Sequence, residues 1–538
     1  MNRGLLSSAV ISPAPSADPR YPRAAGLLFL ALTCFYLLFS GGHIYTPDGV
    51  VMYRVTEAMV TRGSVDIEPP PNTRDFGGSW TEDPETGERS FYAWYGLGMS
   101  LAATPAYAAG LLLGMNQEPS QLFHTPATAD ALGAPLTPRP AAWDDEQSYR
   151  RLWYDARVTS FPDAFMAFVV SLTNAPITAG AAALLLLIAR ELGFSLRAGL
   201  AASLSAGLAT PLWHYAQTFF SEPLAALLWL AFTLFVLLAR RRAPLAMLAL
   251  AGAMVGCLGL TKVALLALAI PAGVLLLWEV RGAPAGDKAL RLGAAALGML
   301  PPLGLMLAYN HLRFGSPFAT GYGDQVAAWT TPFLEGLYGL LLSPGRGLLL
   351  FCPLVLLAIA ASPALRRRDA ALHDFSWLTL LTLVLLYARW HMWEGGWCWG
   401  PRFLVPALPL LALTVAAWVD DPPGRLAAGA GKAVVGLSLL VALSSHMVNF
   451  HDYHQWVKRY SQDHPEVLQE IGADHYYALV RWDWRYSPLV RYPTFGVRET
   501  MLFPRALVYP GAARVIYLGA ALTLLLSAAS LSRLRRQQ

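Results

Sequence analysis

Charge is scarce in this sequence. Of 538 residues, 14% are Asp, Glu, Lys or Arg, against about a quarter in an average soluble domain, and that shortage excludes an ordinary soluble enzyme. Cysteine is scarcer: Cys34, Cys257 and Cys352 sit inside apolar blocks and only Cys398 lies in a polar connection. No disulfide framework and no CxxC metal site can be built from them. The phosphate-cradling GxxxxGK[ST] loop, the HExxH zinc motif and an Asp-x-Asp pair for a metal and a nucleotide sugar are all absent, which excludes a nucleotide-powered pump. No internal repeat of the kind found in many secondary transporters is evident.

What fills the chain instead is apolar. Hydrophobic residues make up 55% of it and fall in blocks of about 16 to 25, the length that crosses a bilayer core of roughly 30 Å. The expected crossings are 24–41, 164–189, 198–215, 223–239, 244–260, 263–278, 292–309, 347–361, 375–387, 403–418, 433–450 and 515–531. The fold class is therefore an all-α polytopic membrane protein of about 12 transmembrane helices, with amphipathic juxtamembrane helices in a long first outer loop. The N-terminal basic stretch before residue 24 reads as the flank of a retained first helix, because no small-residue cleavage site follows it.

The side of each charge then follows from the positive-inside rule. Both termini and the connections carrying Arg190, Arg197, Arg240, Arg281, Lys288, Arg291, Arg366, Arg367, Arg368, Arg425 and Lys432 are expected in the cytosol. That side holds 19 of the 40 Lys and Arg but eight of the 35 Asp and Glu, so the net charge of +5 hides an excess of +11 inside and −6 outside. A thirteenth apolar stretch, 95–113, would break this parity and is expected to re-enter or lie in the outer interface. The substantial loops, 43–163, 311–346, 389–402 and 451–514, fall outside, and loops longer than about 15 residues usually carry function or are disordered.

Several scarce charges sit beside span ends on that outer side. Asp48, in Pro47-Asp48-Gly49, precedes a short amphipathic helix with Val51, Val55, Ala58 and Met59 on one face; it suits an N-cap and equally a general base at a membrane surface. Glu222, in Ser221-Glu222-Pro223, follows the aromatic run from Trp213 to Phe220 and is either a solvated loop acid or a costly, functional carboxylate at the edge of apolar helix. Lys262 interrupts the apolar stretch 244–278 at the turn of a helical hairpin, free to snorkel to head groups or to bind phosphate as a point charge. Arg346 in Ser343-Pro344-Gly345-Arg346-Gly347 and Arg402 in Trp399-Gly400-Pro401-Arg402-Phe403 offer guanidinium forks suited to phosphate. Glu394 and Trp393 lie among Trp390, Trp397 and Trp399, an aromatic belt or a stacking surface for sugar or isoprenoid. Gly252 and Gly256, at GxxxG spacing, predict close helix packing.

Asp48 just after the first span, Ser221-Glu222-Pro223 at the second outer loop and Leu260-Thr261-Lys262 at the hairpin turn, in that order, resemble the signposts of the GT-C superfamily of polytopic glycosyltransferases. The layout is similar to protein O-mannosyltransferases and to bacterial lipid A aminoarabinose transferases over roughly the first half of the chain, and the later Arg346 and Arg402 motifs look like those of uncharacterised bacterial members. The resemblance implies transfer of a sugar, with inversion, from a polyprenyl-phosphate donor to a hydroxyl on a glycan, lipid or protein acceptor, at the extracytoplasmic face of the cytoplasmic membrane. It implies Asp48 as base, Glu222 as a second acid and Lys262 as a donor-phosphate contact; Arg346, Arg402, Glu394, Trp393 and Tyr95 are the further candidate substrate-binding residues. It leaves room for a divalent metal, Mg or Mn, on Asp48 and Glu222, although the family's Asp-Glu is Asp48-Gly49 here and no further acid is evident near residues 91–96.

The expected organisation is a cytosolic tail, 1–23; a GT-C-like transmembrane catalytic domain, 24–450; an outer segment, 451–514; and a last helix with basic tail, 515–538. Tyr476, Tyr477, Trp482 and Trp484 in the outer segment are candidates for an acceptor groove. Nothing in the charge pattern suggests nucleic acid as a partner. The alternative function is a transporter or flippase for a lipid-linked saccharide, using the same cations, which would place its ionisable groups near the bilayer midplane.

Overall fold

The computed structural model describes residues 14–40, 44, 46–68, 77–82, 86–112, 161–323, 328–448, 450–494 and 512–536. Most of the expected first outer loop and residues 495–511 of the 451–514 segment lie outside the described residues. In chain order the principal elements are α1 (Tyr21–Phe39), α2 (Pro47–Arg62), β1 (Gly78–Glu82), β2 (Arg89–Ala93), α3 (Gly98–Leu112), α4 (Met166–Glu191), α5 (Leu196–Leu208) and α6 (Glu222–Ala239). They continue with α7 (Pro244–Thr261), α8 (Val263–Val280), α9 (Ala285–Phe314), α10 (Leu354–Arg368), α11 (Ala370–Tyr387), α12 (Arg402–Asp420), α13 (Arg425–Ser444), α14 (Phe450–Asp463) and α15 (Ala512–Arg536).

Among the described residues nine of these, α1, α4, α6, α7, α8, α9, α11, α12 and α13, are long and apolar enough to cross a membrane. The other three expected crossings fall on α5, α10 and α15. Helices α5 and α10 have 13 and 15 residues, because the apolar run is interrupted where Pro211 and Pro353 start new turns and cannot continue the preceding hydrogen-bond ladder. The questioned stretch 95–113 folds into α3, whose 15 residues extend roughly 22 Å at about 1.5 Å each, short of a bilayer core.

Two features depart from an all-α reading with a surface-lying first-loop helix. Strands β1 and β2 form an antiparallel hairpin in which Trp80 faces Phe91, an aromatic cross-strand pair of the kind that stabilises sheets. Helix α2 is buried on two sides: Val51, Val55 and Ala58 pack on Phe91 and Ala93 of β2, while Val50, Met52 and Tyr53 pack on Met99, Ala103 and Tyr107 of α3. The Thr56 hydroxyl donates to the Ser100 carbonyl in that second interface.

Helix α6 packs on α4, α7 and the start of α12. Helices α7 and α9 pack closely because glycines meet backbone at their crossing: a Cβ on Gly252 would lie 1.8 Å from the Ala295 carbonyl oxygen, and one on Gly298 1.9 Å from that of Ala249. Helix α1 lies between α4 and α15. The connections expected in the cytosol meet at one end of this bundle, where Arg240 bridges Glu279 and Asp369, Asp420 accepts from the Ser195 amide and Arg368 donates to the Gly193 carbonyl. Asp48, Glu222, Lys262 and Arg402 lie together at a different set of helix ends.

Candidate active site

The helix ends place four charges in a chain of contacts. Asp48 is the second residue of α2, and the cap is supplied by Thr46, whose hydroxyl accepts from the Gly49 amide at 3.1 Å. That leaves the Asp48 carboxylate available to point elsewhere, at the helix end where the peptide dipoles favour negative charge. Glu222 opens α6 and Arg402 opens α12. Lys262 is the single extended residue between α7 and α8, as a hairpin turn requires.

Arg402 stands between the two acids. Its Nε donates to Glu222 Oε1 at 2.9 Å, and its Nη2 lies 3.5 Å from Asp48 Oδ2. Lys262 Nζ approaches the same Glu222 Oε1 at 3.6 Å. Both cations rest on aromatic faces, Arg402 over Phe220 at 3.7 Å and Lys262 over Phe403 at 4.2 Å, an arrangement that partly replaces the water each cation gave up. Exposure rises along the chain from Glu222 at 4% to Arg402 at 11%, Lys262 at 18% and Asp48 at 28%. The approach to the site is therefore at Asp48.

Tyr95 completes the group from the loop between β2 and α3, donating its hydroxyl to Asp48 Oδ1 at 2.8 Å. Burial, reinforced by the Asp48 charge, pushes the Tyr95 phenol well above its usual range, so it remains a donor. Burial pushes the Lys262 ammonium down to about 8, against the opposing pull of Glu222. Glu222 Oε2 is buried and has no hydrogen-bond partner among the described residues. A buried carboxylate oxygen left unpaired is costly and is available to a donor brought by a ligand.

The other expected substrate-binding residues are placed differently. Arg346 is 1% exposed, and its guanidinium donates to the carbonyls of Glu394, Gly345 and Gly396 at 3.1, 2.9 and 3.0 Å and to His454 Nε2 at 3.0 Å. Gly395 and Gly396, both in the left-handed region with φ of 79° and 70°, turn the loop so that the Gly395 carbonyl faces Arg402 and the Gly396 carbonyl faces Arg346. Arg346 thus braces the back of the loop whose front braces Arg402. The Glu394 carboxylate pairs with Arg481, and Trp393 is buried against Gly339 and Trp482. Among the outer-segment aromatics, Tyr476 accepts from the Trp397 indole and Trp482 packs on Trp393.

Sequence reasoning missed Arg313, Arg481 and Tyr322. Arg313 is buried at the end of α9 and donates to the carbonyls of Ala93 and Tyr95 and to Asn310 Oδ1, which fixes the loop carrying Tyr95. A charge in the last turn of a long apolar helix was the available signal. Tyr322 lies edge-on to Tyr95, with ring centroids 6.4 Å apart, and had no local signature.

The donor set does not fit a divalent ion shared by Asp48 and Glu222. The position from which a metal would bridge the two carboxylates is taken by the Arg402 guanidinium, and among the described residues no third His, Cys, Asp or Glu joins them.

No protein-family model and no curated protein matches this chain. Among the solved structures similar to it are ArnT from Cupriavidus metallidurans bound to undecaprenyl phosphate, at 15% identity and a TM-score of 0.48 over 91% of this chain and 79% of that one, and ArnT from the same organism in the apo state, at 15% identity and a TM-score of 0.44 over 94% and 75%.

Proposed function

We propose that this chain is a membrane glycosyltransferase that moves a sugar from a polyprenyl-phosphate donor to a hydroxyl acceptor at the extracytoplasmic face of the cytoplasmic membrane, with inversion. The observation that carries this reading is the convergence of Asp48, Glu222, Arg402 and Lys262, from four separate segments, on one contact chain at helix ends. A lipid-phosphate donor presents its reactive bond at that level of a bilayer. A flippase would place such groups at the midplane of its spans, which favours chemistry at the surface over translocation.

In this reading Asp48, the most exposed of the four, accepts the proton of the acceptor hydroxyl. The acceptor oxygen bonds to the anomeric carbon as the bond from that carbon to the phosphate oxygen breaks, and the bonding pair leaves with the polyprenyl phosphate. Lys262 and Arg402 meet the charge that develops on the phosphate, and such preorganised cations need no reorganisation at the moment of reaction. Glu222 holds both cations in place, and its unpaired Oε2 is positioned to accept from a sugar hydroxyl. Arg402 serves between the acids as a covalently attached counter-ion, so the reaction proceeds without a divalent metal.

The test is transfer of labelled sugar from synthetic polyprenyl-phosphate sugar to membrane acceptors in proteoliposomes, run with and without prior EDTA dialysis. Donor-dependent labelling that survives the chelator is expected. Absence of labelling, together with donor moved intact between leaflets, would replace the enzyme by a flippase, and labelling restored only by added metal would remove the counter-ion role of Arg402.

A further inference from the structure

A cavity lies away from these charges. A groove of about 1020 Å³ runs between α1, α5, α12, α13 and α15, lined by Leu28 and Phe35 of α1, Leu204 of α5, Val435 of α13 and Leu524 of α15. Its lining is apolar apart from Ser205 and Ser532, and Arg197 and Lys432 border it at one end. Arg197 is in the first turn of α5 and Lys432 in the second turn of α13, both at the end of the bundle where Arg240, Asp369 and Asp420 meet. From Arg197 to Leu208 the groove follows α5 for roughly 16 Å at about 1.5 Å per residue. It therefore reaches from head-group level to the depth of acyl chains.

Neither Arg197 nor Lys432 has an ion-pair or hydrogen-bond partner among the described residues, although acids lie nearby: Asp420 is held by Ser195 and Arg368, and Asp421 by Arg367. The local carboxylates are thus already committed to other groups. Two unpaired cations at the mouth of an apolar groove complement a molecule with one anionic head and long apolar chains, and basic pockets between transmembrane helices are recognised sites for anionic lipid head groups. We propose that this groove binds an anionic glycerophospholipid, with its phosphate between Arg197 and Lys432 and its acyl chains along α1 and α5. The site is separate from the one containing Asp48 and does not depend on the transferase reading.

The full chain, extracted in mild detergent, tests this by native mass spectrometry with lipid analysis of the bound fraction. Anionic phospholipid retained in near-stoichiometric amount and enriched over the membrane's own composition is expected. Each basic side chain at a head group contributes roughly fivefold to lipid affinity, so Arg197→Ala with Lys432→Ala should weaken retention about 30-fold. Ser205→Trp, which fills the groove without touching either cation, should also displace the lipid. Size-exclusion profiles matching the unmodified protein confirm that each variant is folded, and if the double variant does not fold, the Ser205→Trp result decides. Bound lipid that mirrors the bulk membrane, retention unchanged in the variants, or polyprenyl phosphate as the species lost would each overturn the proposal.

Discussion

The two charged ends of the bundle use the same residue types to opposite effect. At one, Arg240 donates to Glu279 at 2.9 Å and to Asp369 at 2.6 Å, and Asp369 also caps α11 by accepting from the Leu372 amide. One guanidinium ties together the ends of α6, α8 and α11 through short, directed bonds. At the other, Arg402 makes one short bond to Glu222, a longer one to the Gly395 carbonyl and one long contact to Asp48, Lys262 reaches Glu222 only at 3.6 Å, and Glu222 Oε2 has no partner among the described residues. The first is a lock whose groups satisfy one another. The second keeps acceptor capacity unspent and leaves its acids and cations within reach of something else, and unsatisfied buried groups of that kind mark sites where a ligand completes the network.

That contrast breaks most sharply at Asp48. Replacing Asp48 by Asn removes the proposed base and should lower turnover by ~10²–10⁴-fold, the usual contribution of positioned proton transfer. Thermal unfolding should stay near the unmodified value, because the cap of α2 belongs to Thr46. Transfer assays in proteoliposomes beside a melting curve check both halves, and full activity in Asp48→Asn would end the assignment. At the other end the signs exchange. Arg240→Ala strands two partly buried carboxylates and should cost about 3–5 kcal/mol of stability, as breaking a buried ion pair does. Activity per folded molecule should be unchanged, and a proportional loss of turnover would show that the lock also serves the chemistry.

Much of this contrast was legible in the sequence for a simple reason. Charge is rare enough that Asp48, Glu222, Lys262 and Arg402, each beside a span end, stood out singly, and the parity of basic connections put all four on one side. What could not be read was how each charge is spent. Arg346 and Arg402 sit in near-identical Gly- and Pro-containing turns, yet one donates to three backbone carbonyls and the other to two carboxylates and one carbonyl, and the path of the Gly395-Gly396 loop between them decides which. Glu394 looked like a site acid until Arg481, 87 residues further on, supplied its partner. The hairpin of β1 and β2 was hidden because two five-residue strands leave little periodicity to detect. The expected crossings at α5 and α10 fall short in length rather than in composition, because proline divides an apolar run that hydropathy reads as continuous.

Lys262 tests the cation half of the site. Its buried ammonium has its pKa pushed down to about 8, so charge is present below that pH and lost as pH rises through it. A cation that meets the leaving phosphate therefore predicts an alkaline limb near pH 8 in kcat/KM, the quantity that reports the free enzyme. Lys262→Arg keeps the charge to far higher pH and should move that limb upward at the expense of some activity, since a fork does not replace a point charge in geometry. An alkaline limb that stays in place in Lys262→Arg would assign it to another group. Arg240, being charged throughout, should impose no such limb at the other end.

The smallest effect is expected from Tyr95→Phe, which deletes the hydroxyl that donates to Asp48 Oδ1 and nothing else. A hydrogen bond in a folded protein is worth about 1 kcal/mol net, and Asp48 at 28% exposure can take a water in place of the phenol. Arg402 continues to face Oδ2, so the carboxylate loses one of two restraints on its orientation. Turnover should fall roughly fivefold, the rate equivalent of about 1 kcal/mol, with KM unchanged because the phenol already donates to the base rather than to a substrate. The melting temperature should fall only slightly, since Arg313 continues to hold the loop through the backbone carbonyls of Ala93 and Tyr95 whatever side chain occupies position 95. A change in KM instead of kcat would make Tyr95 a substrate contact, and its bond to Asp48 would then be a feature of the empty site alone.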